Sequence, residues 1–439
     1  MVNEWSLDWR DANRVATRVG DSFYVFDADQ LQRNAQAVTR AFSQVYPRVR
    51  AAYAFKANHL PAVCRVAIDC GLGADLASDL DLWLAQRLDV PSARMVLTSA
   101  ALSVEALTFA FTAGATVNLD SLRDVRLAMA VRSQLPPGAS YPIGLRCALP
   151  MGDGSVQRLG LDPNGEEFAE AVALIRASDG VRLAGLHGHV PGHAVADFAE
   201  RVTTLLDIAQ RWLPNELEYL DVGGGFYGGV PSWPISAGGP APRFADYAEA
   251  IRTPLERTHG RLADPPLLIV EPGTSMVANA FTYVTRVRSV KRRCDRWIAT
   301  VAGTLLDTSP NTRRVDFPVQ VLRAEPSHPT EPAAASAEAA AADESAAVVD
   351  ADASHPTYDI VGSTLIEGEY LALNVPGLIE EGDFVMFANV GAYSLSFATT
   401  FLQPQVAVVQ RDAEGKWRVV RPAGNPQTVF GDIPGTNVD

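Results

Sequence analysis

Eight short apolar runs, separated by stretches of helical character, constrain this 439-residue chain more than anything else in it. They fall near 50–58, 73–78, 94–99, 116–121, 142–149, 183–190, 219–226 and 267–274. Each has the length of a strand, and the gaps between them leave room for helices. A β–α alternation repeated eight times suits a closed (β/α)8 barrel of parallel strands. The runs also end alike, in polar residues or glycine: Lys56, Asp75 and Ser78, Thr98 and Ser99, Asp120 and Ser121, Arg146, His187 and His189, Gly223–Gly225, and Glu271. In a barrel those ends share one face, which is where an enzyme of this fold gathers its functional groups.

The flanks differ. Residues 22–27 read as a strand, and Leu31, Ala35, Val38 and Phe42 then recur at helical spacing. After about residue 276, runs rich in Val, Thr and Phe (280–290, 297–302, 316–322, 358–362, 384–390, 405–410 and 417–420) indicate a mostly β region. The expected fold is therefore α/β plus β. A TIM barrel occupies 28–276, and 1–27 with 277–439 form a sandwich-like or barrel-like β domain that takes in the N-terminal strand. Residues 325–356 are dominated by Ala, Glu, Asp, Ser and Pro and lack aromatic side chains, so they are expected to be a flexible insertion with partial helix at most.

Composition narrows the function classes. With 47% hydrophobic and 20% charged residues the chain can bury a large core, and a net charge of −14 argues against nucleic acid or an anionic membrane as partner. No apolar run approaches the roughly 20 residues needed to span a bilayer. Met-Val-Asn-Glu-Trp lacks the basic region and apolar core of a signal peptide. Cys64, Cys70, Cys147 and Cys294 show neither disulfide nor zinc spacing. A cytoplasmic protein with no metal is expected.

Tyr53-Ala-Phe-Lys-Ala-Asn58 closes the first barrel run on a lysine. An unpaired buried ammonium is costly, so Lys56 is either snorkelling, paired, or uncharged because it forms an imine with an aldehyde. Gly223-Gly224-Gly225 follows Leu-Asp-Val and serves either a tight turn or a phosphate that needs close backbone approach. It is no Walker loop, since no Gly-Lys-Ser/Thr follows. Glu271-Pro-Gly could anchor an ion pair or hold a heteroaromatic nitrogen protonated. His187-Gly-His189 offers two side chains on one face of a strand, but no third zinc ligand at suitable spacing, which favours a stacked or hydrogen-bonded role.

Together these residues resemble the fold-type III pyridoxal-phosphate-dependent decarboxylases, relatives of diaminopimelate and ornithine decarboxylases with an alanine-racemase-like barrel. The resemblance runs from Phe23 to about Pro404, outside 325–356. It implies pyridoxal 5'-phosphate as cofactor, with Lys56 as the imine-forming lysine and Asp75, in Gly73-Ala-Asp-Leu-Ala-Ser78, beside it. Arg146 of Leu145-Arg146 would approach the cofactor ring, and His189 of Gly185-Leu-His-Gly-His189 would stack on it. Gly223, Gly224 and Gly225 would cradle the phosphate, and Glu271 would meet the pyridine nitrogen. Tyr393, in Gly391-Ala-Tyr-Ser394, would touch the phosphate and the substrate, and Arg313, in Asn311-Thr-Arg313, would meet a substrate carboxylate. Lys56 and His189 are the implied catalytic residues. The family also implies a homodimer with its active site at the interface.

Three departures stand out. Thr274 replaces the arginine of the family's Glu-Pro-Gly-Arg and remains a cofactor-contact candidate. His-Val-Pro-Gly192 replaces His-Val-Gly-Ser. Leu365 and Ile366 stand where the family carries a proton-donating cysteine and an acid that helps to bind a distal amine. The expectation is decarboxylation of an amino acid or a derived intermediate, of siderophore or secondary-metabolite type, through an imine and a carbanion. Ornithine and lysine are disfavoured. A racemase or epimerase on the same scaffold and a non-catalytic regulatory homologue are the alternatives; Glu271 argues against the first and the intact Lys56 constellation against the second.

Overall fold

The computed structural model describes residues 7–151, 155, 157–228, 241–259, 265–308, 316–324, 356–412 and 415–431. The chain divides into two compact units. One comprises Phe26–Phe281 with Asn389–Phe397; the other comprises Met1–Val25, Thr282–Ala388 and Ala398–Asp439. The candidate insertion at 325–356 falls outside the described residues, apart from Pro356.

Two elements precede the barrel, α1 (Trp9–Val19) and β1 (Ser22–Phe26). The barrel unit then alternates α2 (Ala28–Ser43), β2 (Val49–Ala54), α3 (Pro61–Asp69), β3 (Gly73–Leu76), α4 (Asp79–Arg87) and β4 (Met95–Ser99). It continues with α5 (Val104–Ala113), β5 (Thr116–Leu119), α6 (Leu122–Ser133), β6 (Tyr141–Arg146), α7 (Glu166–Arg176) and β7 (Val181–His187). The last turns are α8 (Val195–Trp212), β8 (Tyr219–Asp221), α9 (Phe244–Ala250), α10 (Arg252–His259), β9 (Leu267–Val270) and the short α11 (Thr274–Val277). β2 to β9 form a closed barrel, and β9 returns to pair in parallel with β2, Val49 opposite Leu268.

Local chemistry explains the helix starts. Ser78, Ser103 and Ser121 cap α4, α5 and α6, each side chain accepting from a backbone N–H in the first turn. Two of the polar strand ends, Ser78 and Ser121, therefore serve helices rather than a ligand. In α2 the residues at helical spacing, Leu31, Ala35, Val38 and Phe42, are the buried stripe.

The barrel interior is filled by Ala52, Val96, Ala184, Tyr219 and Ile269. Tyr219 fits because the two preceding strands, β7 and β6, carry glycine beside it. A Cβ at Gly185 would lie 2.3 Å from its ring, and one at Gly144 would lie 2.2 Å from its hydroxyl. Gly185→Ala is accordingly expected to destabilise the protein by about 3 kcal/mol through overpacking. An unchanged denaturant midpoint would contradict this packing.

The second unit carries β10 (Phe281–Arg293), β11 (Arg296–Val301), β12 (Val319–Leu322), β13 (Thr357–Val361), β14 (Tyr370–Pro376), β15 (Phe384–Ala388), β16 (Ala407–Arg411) and β17 (Trp417–Arg421). With β1 they make one sheet in the order β14-β13-β11-β10-β1-β16-β17, and β15 pairs with both β10 and β12. Helix α1 packs Ala12, Val15 and Ala16 on Phe23, Val25, Val284, Phe384 and Val409. The buried Glu369 accepts from the Leu305 N–H (3.0 Å) and the Thr364 N–H (2.8 Å), which pins the turn carrying Leu365 and Ile366. Leu365 itself is 91% exposed. No described helix is long and apolar enough to cross a membrane.

Candidate active site

β2 stops at Ala54, and Phe55–Ala57 form a single 3₁₀ turn that swings Lys56 over the barrel mouth. The turn is held on both sides. The Tyr393 N–H donates to the Ala57 carbonyl (2.7 Å), and Asn58 Nδ2 donates to the Gly391 carbonyl (2.9 Å). Because Ala54 lies in register with Asp75 on β3, the Lys56 ammonium reaches the Asp75 carboxylate in a direct ion pair. The Lys56 side chain is 44% exposed, and it lines both lobes of the cavity at the barrel mouth. Burial works against its charge, but Asp75 and Glu271 outweigh that and raise its pKa. Burial and the Glu271 charge push the Asp75 carboxyl up to about 7, against the pull of Lys56.

Glu271 leaves β9 with its N–H bonded to the Gly223 carbonyl (2.9 Å) and its carboxylate 3.5 Å from His187 Nε2. Both side chains are buried. Burial alone would neutralise Glu271, but the groups around it, His187 and Lys56 foremost, hold its carboxyl below the usual carboxylate range. Burial lowers the His187 ring while the Glu271 charge pulls the other way. Beneath them Asp221 accepts from Asn118 Nδ2 (3.0 Å) and from the Gly223 N–H (3.1 Å). Burial and the adjacent Glu271 charge push the Asp221 carboxyl well above its ordinary range. The ligand atoms of His187, Asp221 and Glu271 lie within 4.8 Å of one another, a proximity that chain spacing did not reveal.

The glycine loop closes the other side. Gly223 (φ 65°) and Gly225 (φ 94°) have left-handed backbone that other residues rarely adopt. A Cβ at Gly224 would lie 2.4 Å from the Glu271 carbonyl oxygen, so the loop lies flat against the strand end only as glycine. The Gly224 N–H donates to His189 Nδ1 (3.1 Å). Nδ1 is thus the acceptor, and Nε2 carries the proton of the neutral ring. Burial and the nearby Arg201 charge pull the His189 pKa down to about 3, so the ring stays neutral at physiological pH.

The cavity has two lobes that share Lys56, His189 and Glu271. One, of about 300 Å³, is lined further by Ala77, Thr98, Arg146, Arg158 and His187. The other, of about 270 Å³, adds Gly224, Gly225, His193, Gly273, Thr274 and Tyr393. Arg146 is buried 3.6 Å from Asp120. The structure therefore brings Lys56, Arg146, His189, Gly224, Gly225, Glu271, Thr274 and Tyr393 to one cavity wall, with Asp75 and Gly223 directly behind it. Arg313 falls outside the described residues. Sequence reading missed Arg158, His193 and Arg201. His193 directly follows the His-Val-Pro-Gly192 segment, whereas Arg158 belongs to no recognised motif and Arg201 sits mid-helix and gives no local signal.

A sequence model described as pyridoxal-dependent decarboxylase, pyridoxal binding domain, matches residues 29–278. A diaminopimelate decarboxylase of Archaeoglobus fulgidus is 26% identical over 422 residues, covering 93% of this chain and 91% of that one. One from Methanothermobacter thermautotrophicus is also 26% identical, over 434 residues and 94% and 91% of the two chains. Among solved structures, diaminopimelate decarboxylase from M. jannaschii in complex with L-lysine has a TM-score of 0.81 at 20% identity, over 96% of this chain and 94% of that one. At that identity the likeness speaks for the fold.

Proposed function

Because the chain belongs to the pyridoxal-dependent decarboxylases, we propose that the cavity around Lys56 removes the α-carboxylate of an amino acid carrying a second carboxylate at its far end. The protein is a lyase that uses pyridoxal 5'-phosphate for amino-acid decarboxylation. The observation that carries the site assignment is Glu271 Oε1, a buried carboxylate oxygen with no hydrogen-bond partner among the described residues, on the cavity wall that bears Lys56. An ionised acceptor there suits a protonated ring nitrogen.

The residues present fit the cofactor. Lys56 would hold its aldehyde end, His189 would offer a neutral ring, and Gly224, Gly225, Thr274 and Tyr393 would surround its phosphate. When bound, the cofactor supplies a sink for the electrons left behind by the departing carboxylate. Glu271 keeps that sink strong by stabilising positive charge on the ring, and this favours decarboxylation over racemisation. Asp75 positions Lys56. Leu365 cannot deliver a proton, so the donor to the α-carbon comes from the cavity, where Lys56 Nζ is the ammonium at hand.

The far-end preference rests on Arg158 beside Arg146. Glu271 is the only acidic residue among the described lining of that lobe. Diaminopimelate, the substrate named for the curated relatives, has such an end, as do carboxylated intermediates of siderophore or secondary-metabolite type. We also propose a homodimer; the exposed Leu365, Phe401 and Leu402 favour it, and light scattering tests it.

The experiment is a substrate panel in deuterated water. Diaminopimelate and other dicarboxylic amino acids are expected to release carbon dioxide and take up one deuterium at the α-carbon, faster than ornithine or lysine. Preference for the monocarboxylic diamines would overturn the far-end assignment. Loss of the α-hydrogen with no carbon dioxide from any substrate would mean racemisation. A protein that stays colourless when cofactor is added would be a non-catalytic homologue.

A further inference from the structure

The lobe assigned to the cofactor phosphate has an unusual lining for a dianion. Besides the shared His189 and Glu271, its walls include Gly224, Gly225, His193, Gly273, Thr274 and Tyr393, and Lys56 is the only lysine or arginine among its described lining residues. A cation does lie close by, behind the backbone. Arg201 of α8 is 4% exposed, and its Nη1 donates to the Val222 carbonyl (2.8 Å) and the Gly224 carbonyl (2.7 Å). Its Nη2 donates to the Val190 carbonyl (3.1 Å), and the guanidinium rests over the Phe198 ring. One buried charge thus gathers carbonyls from both loops that form the lobe.

The geometry has a consequence for the opposite side of the loop. In a trans peptide the C=O and the following N–H point in opposite directions. Drawing the Gly224 carbonyl toward Arg201 turns the Gly225 N–H away from it. No described residue accepts a hydrogen bond from that N–H. A phosphate there would meet a backbone donor polarised by the cation behind it, in surroundings where charge is weakly screened. Burial lowers the Arg201 pKa only to about 10, so it stays charged at neutral pH.

We propose that Arg201 supplies the positive charge of the phosphate subsite, acting through the glycine loop rather than by direct contact. It is a positioning residue, and it offsets the missing cation at Thr274. This inference rests on the reading that the glycine loop receives the cofactor phosphate.

The test compares equilibrium binding of pyridoxal 5'-phosphate and of pyridoxal, which has the same aldehyde and ring without the phosphate, to the cofactor-free protein. The wild type is expected to prefer the phosphorylated form strongly. In Arg201→Met that affinity should fall about 10- to 100-fold, the scale of a lost charged hydrogen-bonding group, while pyridoxal affinity changes less than about threefold. Arg201→Lys keeps the charge but cannot reach three carbonyls at once, so a smaller loss with the same selectivity is expected; it decides the matter if Arg201→Met fails to fold. A wild-type ratio of the two affinities in the variants, or an equal loss for both ligands, would overturn the proposal. A wild type with no preference between the ligands would instead sink the phosphate assignment of the loop itself.

Discussion

Lys56→Ala is expected to abolish the visible absorption of the cofactor-loaded protein and to reduce decarboxylation by at least about 10,000-fold, the scale on which loss of a covalent catalytic residue is felt. The fold should survive. Lys56 pairs with Asp75, whose carboxyl already sits near 7 because of burial and Glu271. Once the ammonium is removed, Asp75 takes up a proton rather than remaining an unpaired buried charge. The melting temperature of the cofactor-free variant should therefore stay close to that of the wild type. A colourless variant with near-normal activity would remove Lys56 from the chemistry. Collapse of the apoprotein would mean that the pair is structural.

Glu271→Gln is the second large effect. Glutamine matches the shape of glutamate but carries no charge, so on the proposed reading the ring nitrogen would lose the anion that keeps it protonated. A fall in kcat of about 100- to 1,000-fold is expected, the usual result of removing one preorganised electrostatic contact. Cofactor affinity should change far less, because Lys56 and the glycine loop are untouched. The variant separates two roles for a buried acid. If Glu271 only anchors His187, 3.5 Å away, the substitution should lower stability and leave the spectrum and kcat of the surviving protein unchanged.

The barrel was legible because its strands are short, largely apolar and mostly buried runs, recurring between helical stretches. Their ends were less so. The run 50–58 reads as one strand, yet the ladder stops at Ala54 and Lys56 lies in a separate turn, held by backbone contacts to Tyr393 and Gly391 far along the chain. The run 219–226 likewise ends as a strand at Asp221, where the left-handed glycines begin.

Helix α1 and strand β14 went unseen for physical reasons. Helix α1 carries its buried residues, Ala12, Val15 and Ala16, on one narrow stripe of small side chains interrupted by arginines. Strand β14 pairs with β13 across two register shifts and holds Asn374 at φ 55°, which blurs the alternation that marks a strand. At the site, residues bearing their own motif were found: Lys56, His189, the three glycines and Glu271. Arg201 was not, because only the approach of two loops to one side of α8 distinguishes it from a solvent-facing helix arginine.

The most direct test of the central claim is a carbon balance on the cofactor-loaded protein, supplied with diaminopimelate labelled in both of its carboxylates. One labelled carbon dioxide released per molecule of amino acid consumed, lost on Lys56→Ala and slowed at least about a hundredfold on Glu271→Gln, is the predicted result. Consumption with both labels retained in the amino acid, or label release that is indifferent to both substitutions, would contradict it.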